Sequence, residues 1–239
     1  MLQTLRSLLF LAGMAILTFV FGFACLLTIV IPYRMRYRFI TYWSACNLWW
    51  LRITCGLRYT VTGKENIPNH PCIVMSNHQS AWETMALGPI FPPLIWVVKR
   101  ELLFVPIFGW GLALTHPIAL NRSAGRKAVG QLVEQGVKKI KKGHWILIFP
   151  EGTRTPPGTK RKFKIGGAML AEKSGAPIIP VAHNSGNFWA RRQLAKSPGT
   201  IQMVIGPAIT TAGKTADQIN QEVYKWISTQ RDVIETKRS

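Results

Sequence analysis

The chain has 239 residues and a formal net charge of +20, from 30 Lys and Arg against 10 Asp and Glu. That length holds one domain of ordinary size with an attached segment, and it suffices to bury a real core. The charge attracts polyanions, whether nucleic acid, anionic lipid or a phosphorylated substrate; the four cysteines, Cys25, Cys46, Cys55 and Cys72, have no C-x-x-C spacing, which argues against a disulfide framework and for a reducing compartment.

Residues 8–31 carry no charge and are rich in Leu, Phe, Ile and Val. At about 1.5 Å per residue a helix there reaches roughly 36 Å, enough to cross a bilayer. The run is too long for a cleaved signal peptide and no A-x-A pattern closes it. Arg34, Arg36 and Arg38 follow it and only Arg6 precedes it. The positive-inside bias therefore puts the downstream chain on the cytoplasmic side of an inner membrane. Residues 39–51 are apolar but too short to span. Phe39, Trp43, Cys46 and Trp50 recur there at helical spacing, the pattern of an interfacial helix lying against one leaflet, with a core helix of the soluble domain as the alternative. Residues 1–56 are thus read as membrane-associated helices and 57–239 as a catalytic domain.

From residue 57 the pattern changes. Candidate strands fall at 57–62, 72–75, 94–98, 117–120, 145–149, 178–182 and 201–205, and several are continuously apolar, as strands covered on both faces are. Helices are predicted at about 80–87, 101–114, 124–142 and 166–174. Thr215 with Gln218 makes a capping box for a terminal amphipathic helix whose face carries Ile219, Val223, Trp226, Ile227, Val233 and Ile234. The fold class is α/β, a mixed and largely parallel sheet flanked by helices, with the N-terminal helical anchor attached.

The chemistry gathers after strands. His78 follows the run Cys72 to Ser76 and stands five positions before Glu83. In a regular helix the two would be about 140° apart, so they meet only if His78 lies in the turn before the helix and Glu83 in its first turns. Glu83 then takes the Nδ1 proton and leaves Nε2 free to accept one from a hydroxyl. After residues 145–149 come Pro150, Glu151, Gly152, Thr153 and Arg154: a tight turn with a carboxylate, a hydroxyl, and a guanidinium suited to phosphate, where Gly152 allows close backbone approach. Lys99, directly after another apolar strand, offers a second cation. Ile107, Phe108 and Trp110 with Gly109 and Gly111 suit an apolar wall for an acyl chain. Pro180 inside the run 178–182 suggests a sheet edge or a bulge.

In this order the motifs resemble those of the glycerolipid acyltransferase superfamily, and most closely its 1-acylglycerol-3-phosphate acyltransferases. The N-H-x4-D/E block corresponds to Asn77, His78 and Glu83, with Glu where Asp is commoner. The K-x-E-L block corresponds to Lys99, Glu101 and Leu102 with Pro106 and Gly109 downstream. The F-P-E-G-T-R block matches throughout from Phe149 to Arg154, and the short proline-containing strand falls at Ile179, Pro180 and Val181. The resemblance implies direct transfer from acyl-CoA or acyl carrier protein to the 2-hydroxyl of lysophosphatidate, without cofactor or metal. His78 and Glu83 are then catalytic, and Lys99, Glu151, Gly152, Thr153 and Arg154 bind or position the glycerol phosphate. The implied partners are membrane lipids, lysophosphatidate and the thioester donor, and not nucleic acid. Two enzymatic alternatives remain open, a different lysolipid acceptor and a Ser/His hydrolase using Ser76 or Ser80. A cationic adaptor is the non-enzymatic alternative, and its basic stretches lack the interleaved aromatics of a single-strand binding groove.

Overall fold

The computed structural model describes residues 1–236. Seven strands, β1 (Leu57–Thr62), β2 (Ile73–Ser76), β3 (Leu94–Lys99), β4 (Ile118–Leu120), β5 (Trp145–Ile148), β6 (Ile178–His183) and β7 (Gly199–Ile205), form one sheet in the order β1-β7-β6-β2-β5-β3-β4. The run β6-β2-β5-β3-β4 is parallel throughout. β7 is antiparallel to β6, and β1 is parallel to β7. All seven predicted strands are present, and the sheet is mixed and largely parallel as expected.

Side chains alternate across the sheet, so each central strand feeds two cores. Val74, Leu147, Ile179 and Val181 point to one core; Ile73, Met75, Ile146 and Ile148 point to the other. The first core is covered by α1 (Leu2–Ala24, continued by a 3-10 turn Cys25–Val30), α2 (Tyr33–Cys55) and α3 (Trp82–Ile90). The second is covered by α5 (Arg126–Lys141), α6 (Gly166–Ser174) and α7 (Ala216–Thr236), with the short α4 (Phe108–Ala113) beside the first. The capping box at Thr215 forms, with Thr215 N–H donating to Gln218 Oε1 at 2.9 Å. Ile219, Val223, Ile227 and Ile234 are buried as their spacing requires, while Val233 is exposed.

Three expectations are corrected. The predicted helix 101–114 is broken: a 3-10 turn, Arg100–Phe104, gives way to extended Val105 before α4 begins. Pro106 disfavours helical backbone in the residue before it, and Ile107 follows in left-handed backbone at φ 67°. Pro180 does not mark an edge, since β6 lies between β7 and β2. The bulge reading fits instead: β6 pairs Val181 with Ile205, yet the next bridge joins Ile178 to Ile209, so residues 206–208 oppose 179–180. The proline's missing N–H falls where that ladder is interrupted.

The third correction concerns α2. Its stripe of Phe39, Trp43 and Trp50 packs on α1, with the rings of Phe21 and Phe39 5.5 Å apart. Trp43 Nε1 donates to Thr18 Oγ1 at 3.1 Å and Trp50 Nε1 to the Leu9 carbonyl at 3.3 Å. Trp50 lies over Gly13, where any Cβ would overlap the indole. The faces left outward carry Tyr42, Trp49 and Ile53 on α2, and Leu5, Ile16, Phe19 and Leu27 on the first segment. Periodicity fixes an apolar stripe but not its partner. Leu2–Val30 is the one described segment long and apolar enough to cross a membrane. It is also fastened to the domain near both ends. Gln3 Nε2 donates to the Lys196 carbonyl at 2.9 Å, Phe10 meets Trp189 at 5.4 Å, and Phe23 meets Trp110 at 5.8 Å.

Candidate active site

In a parallel run of strands the carboxyl ends open on one edge, where α/β folds gather their ligands. Here β2 delivers His78, β5 the turn 149–155, β3 Lys99, β4 Arg122 and β6 Ser185. β2 occupies the middle of the sheet, so the His78 loop is flanked on both sides. From the β5 side, Glu151 Oε2 accepts the His78 N–H at 3.1 Å and the Thr155 hydroxyl at 2.8 Å, and Thr155 N–H donates to the His78 carbonyl at 2.8 Å. From the β6 side, the Asn77 amide clasps His183: its Nδ2 donates to the His183 carbonyl at 2.9 Å and its Oδ1 accepts the His183 N–H at 3.0 Å.

The loop lets the histidine and the glutamate meet. Residues 77–81 stay outside the helix, which begins at Trp82 rather than at residue 80, and Glu83 stands in its first turn. There the helix N-terminus favours a negative charge. Glu83 is fully buried, and its Oε1 lies 2.7 Å from His78 Nδ1. The same oxygen accepts N–H groups from Gln79 and Ser80, both at 2.8 Å, and Oε2 accepts the Ser185 hydroxyl at 2.9 Å. A carboxylate with these partners is an acceptor, so Nδ1 carries the proton and Nε2 presents its lone pair. Nε2 has no protein partner among the described residues. The imidazole is stacked on Phe149, centroids 4.1 Å apart. Burial by itself raises the Glu83 carboxyl, but His183, the hydrogen bond and charge of His78, and the Ser80 N–H outweigh it and bring it down to about 2.

His78 and Phe149 form part of the wall of a cavity of about 440 Å³, lined elsewhere by Phe21 and Cys25 of the first segment, Tyr37 and Trp43 of α2, and Phe108 and Leu112 of α4. The predicted wall at 107–111 does line it through Ile107, Phe108 and Gly111, but α1 and α2 complete it. Three cations reach the same lining, Lys99, Arg122 and Arg154. Lys99 is half-exposed and pairs with Glu101 at 3.2 Å. Arg122 donates through Nη1 to the Gly152 carbonyl, tying it to the turn that carries Arg154.

The residues singled out from sequence divide into two groups. His78, Glu83, Lys99 and Arg154 converge on the cavity or on its histidine. Glu151, Gly152 and Thr153 build the turn beside it. The Glu151 carboxylate is buried against the His78 loop, and burial pushes it up to about 7 despite the Thr155 and His78 donors. Gly152 has φ 72° and lies under Lys164, and Thr153 Oγ1 accepts from Arg191 at 3.3 Å. Arg122 and Ser185 were not singled out. Each stands two residues beyond a strand, close to the signal that identified Lys99. The hydroxyls proposed for a hydrolase are engaged elsewhere: Ser76 donates to the Asn77 carbonyl at 3.1 Å, and Ser80 accepts the Trp82 N–H at 3.2 Å. Neither bonds to His78.

A strand-end imidazole with a free Nε2 thus stands beside an apolar cavity and three cations. A family model described as Acyltransferase matches residues 58–184, and the chain belongs to the acyltransferase family. It is 46% identical over 231 residues, covering 95% of this chain and 90% of the relative, to the 1-acyl-sn-glycerol-3-phosphate acyltransferase of Pseudomonas aeruginosa. It is 33% identical to the enzyme of that name from Saccharomyces cerevisiae, over 94% of this chain and 75% of the relative. The fold matches the crystal structure of the 1-acyl-sn-glycerophosphate acyltransferase from Thermotoga maritima, with a TM-score of 0.82 at 22% identity over 98% of this chain and 97% of that one.

Proposed function

We propose that this chain transfers a fatty acyl group from a thioester, acyl-CoA or acyl carrier protein, to the 2-hydroxyl of 1-acyl-glycerol 3-phosphate, giving phosphatidate. The activity for which relatives overlapping nearly the whole chain are named supports the acceptor. The observation that carries the chemistry is the 2.7 Å contact between His78 Nδ1 and Glu83, which leaves Nε2 unpartnered on the cavity wall. Nε2 takes the hydroxyl proton as the oxygen attacks the thioester carbonyl, and Glu83 steadies the imidazolium. The attack forms the new C–O bond; collapse of the tetrahedral intermediate then re-forms the carbonyl, breaks C–S, and gives the proton from the imidazolium to the departing sulfur. Lys99, Arg122 and Arg154 meet the phosphate, and Glu151, Gly152 and Thr153 shape the turn that presents Arg154. The acyl chains lie in the apolar cavity, whose size falls within the roughly 300–1,000 Å³ common for ligand sites.

The outward apolar side chains of α1 and α2 form the contact with a membrane, on the cytoplasmic side of the inner membrane. A helix fastened near both ends to a cationic domain lies along a leaflet rather than projecting through it. Of the three arginines after the first segment, Arg36 is buried and donates to His116 Nε2 at 2.8 Å, so Arg34 and Arg38 are the ones that face anionic headgroups.

The test is to incubate membranes carrying the protein with a panel of lysolipids and with acyl-CoA or acyl carrier protein donors, following thiol release and lipid product. Lysophosphatidate-dependent thiol release is expected, and His78→Ala should lower turnover on the order of 10²–10⁴-fold. Thioester cleavage that does not need an acceptor would make the protein a hydrolase instead.

A further inference from the structure

Glu83 is a buried carboxylate whose two oxygens are held by different parts of the fold. Oε1 is gripped by its own loop, through His78, Gln79 and Ser80. Oε2 is gripped from 102 positions away by the hydroxyl of Ser185, in the 3-10 turn Ser185–Asn187 that follows β6. That turn is firmly docked. Gly186 N–H donates to Gln79 Oε1 at 3.0 Å, and a Cβ at Gly186 would stand only 2.9 Å from Pro157 and 3.0 Å from the Gln79 side chain. Ser185 N–H reaches His183 Nδ1 at 3.4 Å, while His183 Nε2 donates to the Asn77 carbonyl at 2.8 Å. The far end of the contact is therefore a fixed frame built on the strand next to β2.

We propose that Ser185 is a positioning residue for the acyl transfer: by holding Oε2 it fixes the plane of the Glu83 carboxylate, and through Oε1 the tautomer and ring orientation of His78. Ser185 does not touch substrate. It is fully buried and lies outside the lining of the cavity, so it acts only through Glu83. Without its hydroxyl, Oε2 is left buried with no donor, a state that proteins avoid. The carboxylate then relieves itself by turning, or by drawing more strongly on the His78 proton. Both outcomes slow the transfer, the first by misaiming Nε2 and the second by leaving less of the imidazole as free base at a given pH. The charged and titratable groups around Glu83 are His78 in its own loop, His183 after β6, Glu151 after β5, and Arg231 and Glu235 on α7. None of them reaches Oε2 within hydrogen-bond distance.

This inference rests on the proposed role of His78, so the test carries a separate control for that role. Wild type, Ser185→Ala, Ser185→Thr and His78→Ala are compared in membranes with 1-oleoyl-lysophosphatidate and oleoyl-CoA, following thiol release between about pH 5 and 9. Ser185→Ala should lower kcat by about tenfold to a hundredfold, by analogy with the loss of outer partners that orient metal-bound histidines. The KM for lysophosphatidate should hold, and the acid limb of kcat/KM should move to higher pH. Ser185→Thr, which keeps the hydroxyl, should restore both. Wild-type kcat with an unmoved acid limb in Ser185→Ala overturns the proposal. So does a loss that threonine fails to restore while the unfolding temperature drops in both variants, which is the signature of packing alone. If His78→Ala remains active, the functional reading fails. If it is inactive while Ser185→Ala behaves as wild type, only this inference fails.

Discussion

The two halves of the site are built on opposite principles. On the histidine side both oxygens of the Glu83 carboxylate are spoken for: four donors converge on a group with no exposure, and two neighbouring strands clamp the loop. On the cation side Lys99 is half-exposed with a single surface partner, and Arg122 and Arg154 are only partly buried. Under the proposed function, the difference follows from what each half would do. A base needs its lone pair aimed before the substrate arrives, and preorganisation serves that. A phosphate headgroup entering from a lipid surface is a mobile anion, and long flexible cations capture it without a rigid frame.

Neutralising the rigid half should have the largest effect. Glu83→Gln keeps the shape but loses the charge, and Gln cannot accept all four donors without turning an NH₂ toward one of them. We expect kcat to fall at least a hundredfold with little change in KM; a change confined to KM would place Glu83 in binding instead. Glu83→Asp should be milder, because Asp occupies this position more often in the family, yet the carboxylate sits one methylene short of Ser185. Loss of either arginine should come next. Arg154→Ala or Arg122→Ala removes a charge-assisted contact worth roughly 1.5–3 kcal/mol, expressed mainly in the KM for lysophosphatidate. Removing the phosphate from the acceptor should erase the difference between these variants and wild type. If it does not, the cations serve the fold.

Glu151 tests the border between the halves, and its readout is stability. Its carboxyl is raised from 4.5 to about 7, so it favours the folded state below pH 4.5 and that contribution is lost as the pH rises through 7. Glu151→Gln can still accept the His78 N–H and the Thr155 hydroxyl but never ionises. Denaturant unfolding should show wild type losing up to about 3 kcal/mol relative to the variant between pH 4.5 and 8. Turnover should be retained; a large loss of kcat would give Glu151 a part in the reaction. Glu83 has the opposite sign, since its depressed carboxyl stabilises the fold above pH 4.5 and that is lost toward pH 2. Lys99→Ala should be the smallest effect, a severalfold rise in KM at low salt that vanishes at high salt, in keeping with a surface pair worth at most about 1 kcal/mol.

Much of this was written in the residues. Short runs rich in β-branched residues, bounded by turn residues and either continuously apolar or alternating, read as strands, so all seven strands were legible, and charged or polar residues placed just beyond their ends marked His78, Lys99, Glu151 and Arg154. Arg122 and Ser185 carry the same mark. They passed unnoticed because β4 is short and because a lone serine after a strand says nothing about what it faces.

What the chain determined by itself was local: the period of its apolar residues, the capping box before α7, the Pro106 break, and the five-residue step that allows His78 to meet Glu83. The tertiary structure decided what lies far apart in sequence. It turned the aromatic stripe of α2 onto α1, placed Pro180 inside the sheet, and let α1 and α2 close the cavity over the domain's own wall. It also brought Ser185 to Glu83 across 102 positions. Periodicity and steric preference act within a few residues and can be read from them. The choice of partner for a buried face or an unpaired carboxylate oxygen depends on the whole sheet, since strand order sets which loops become neighbours.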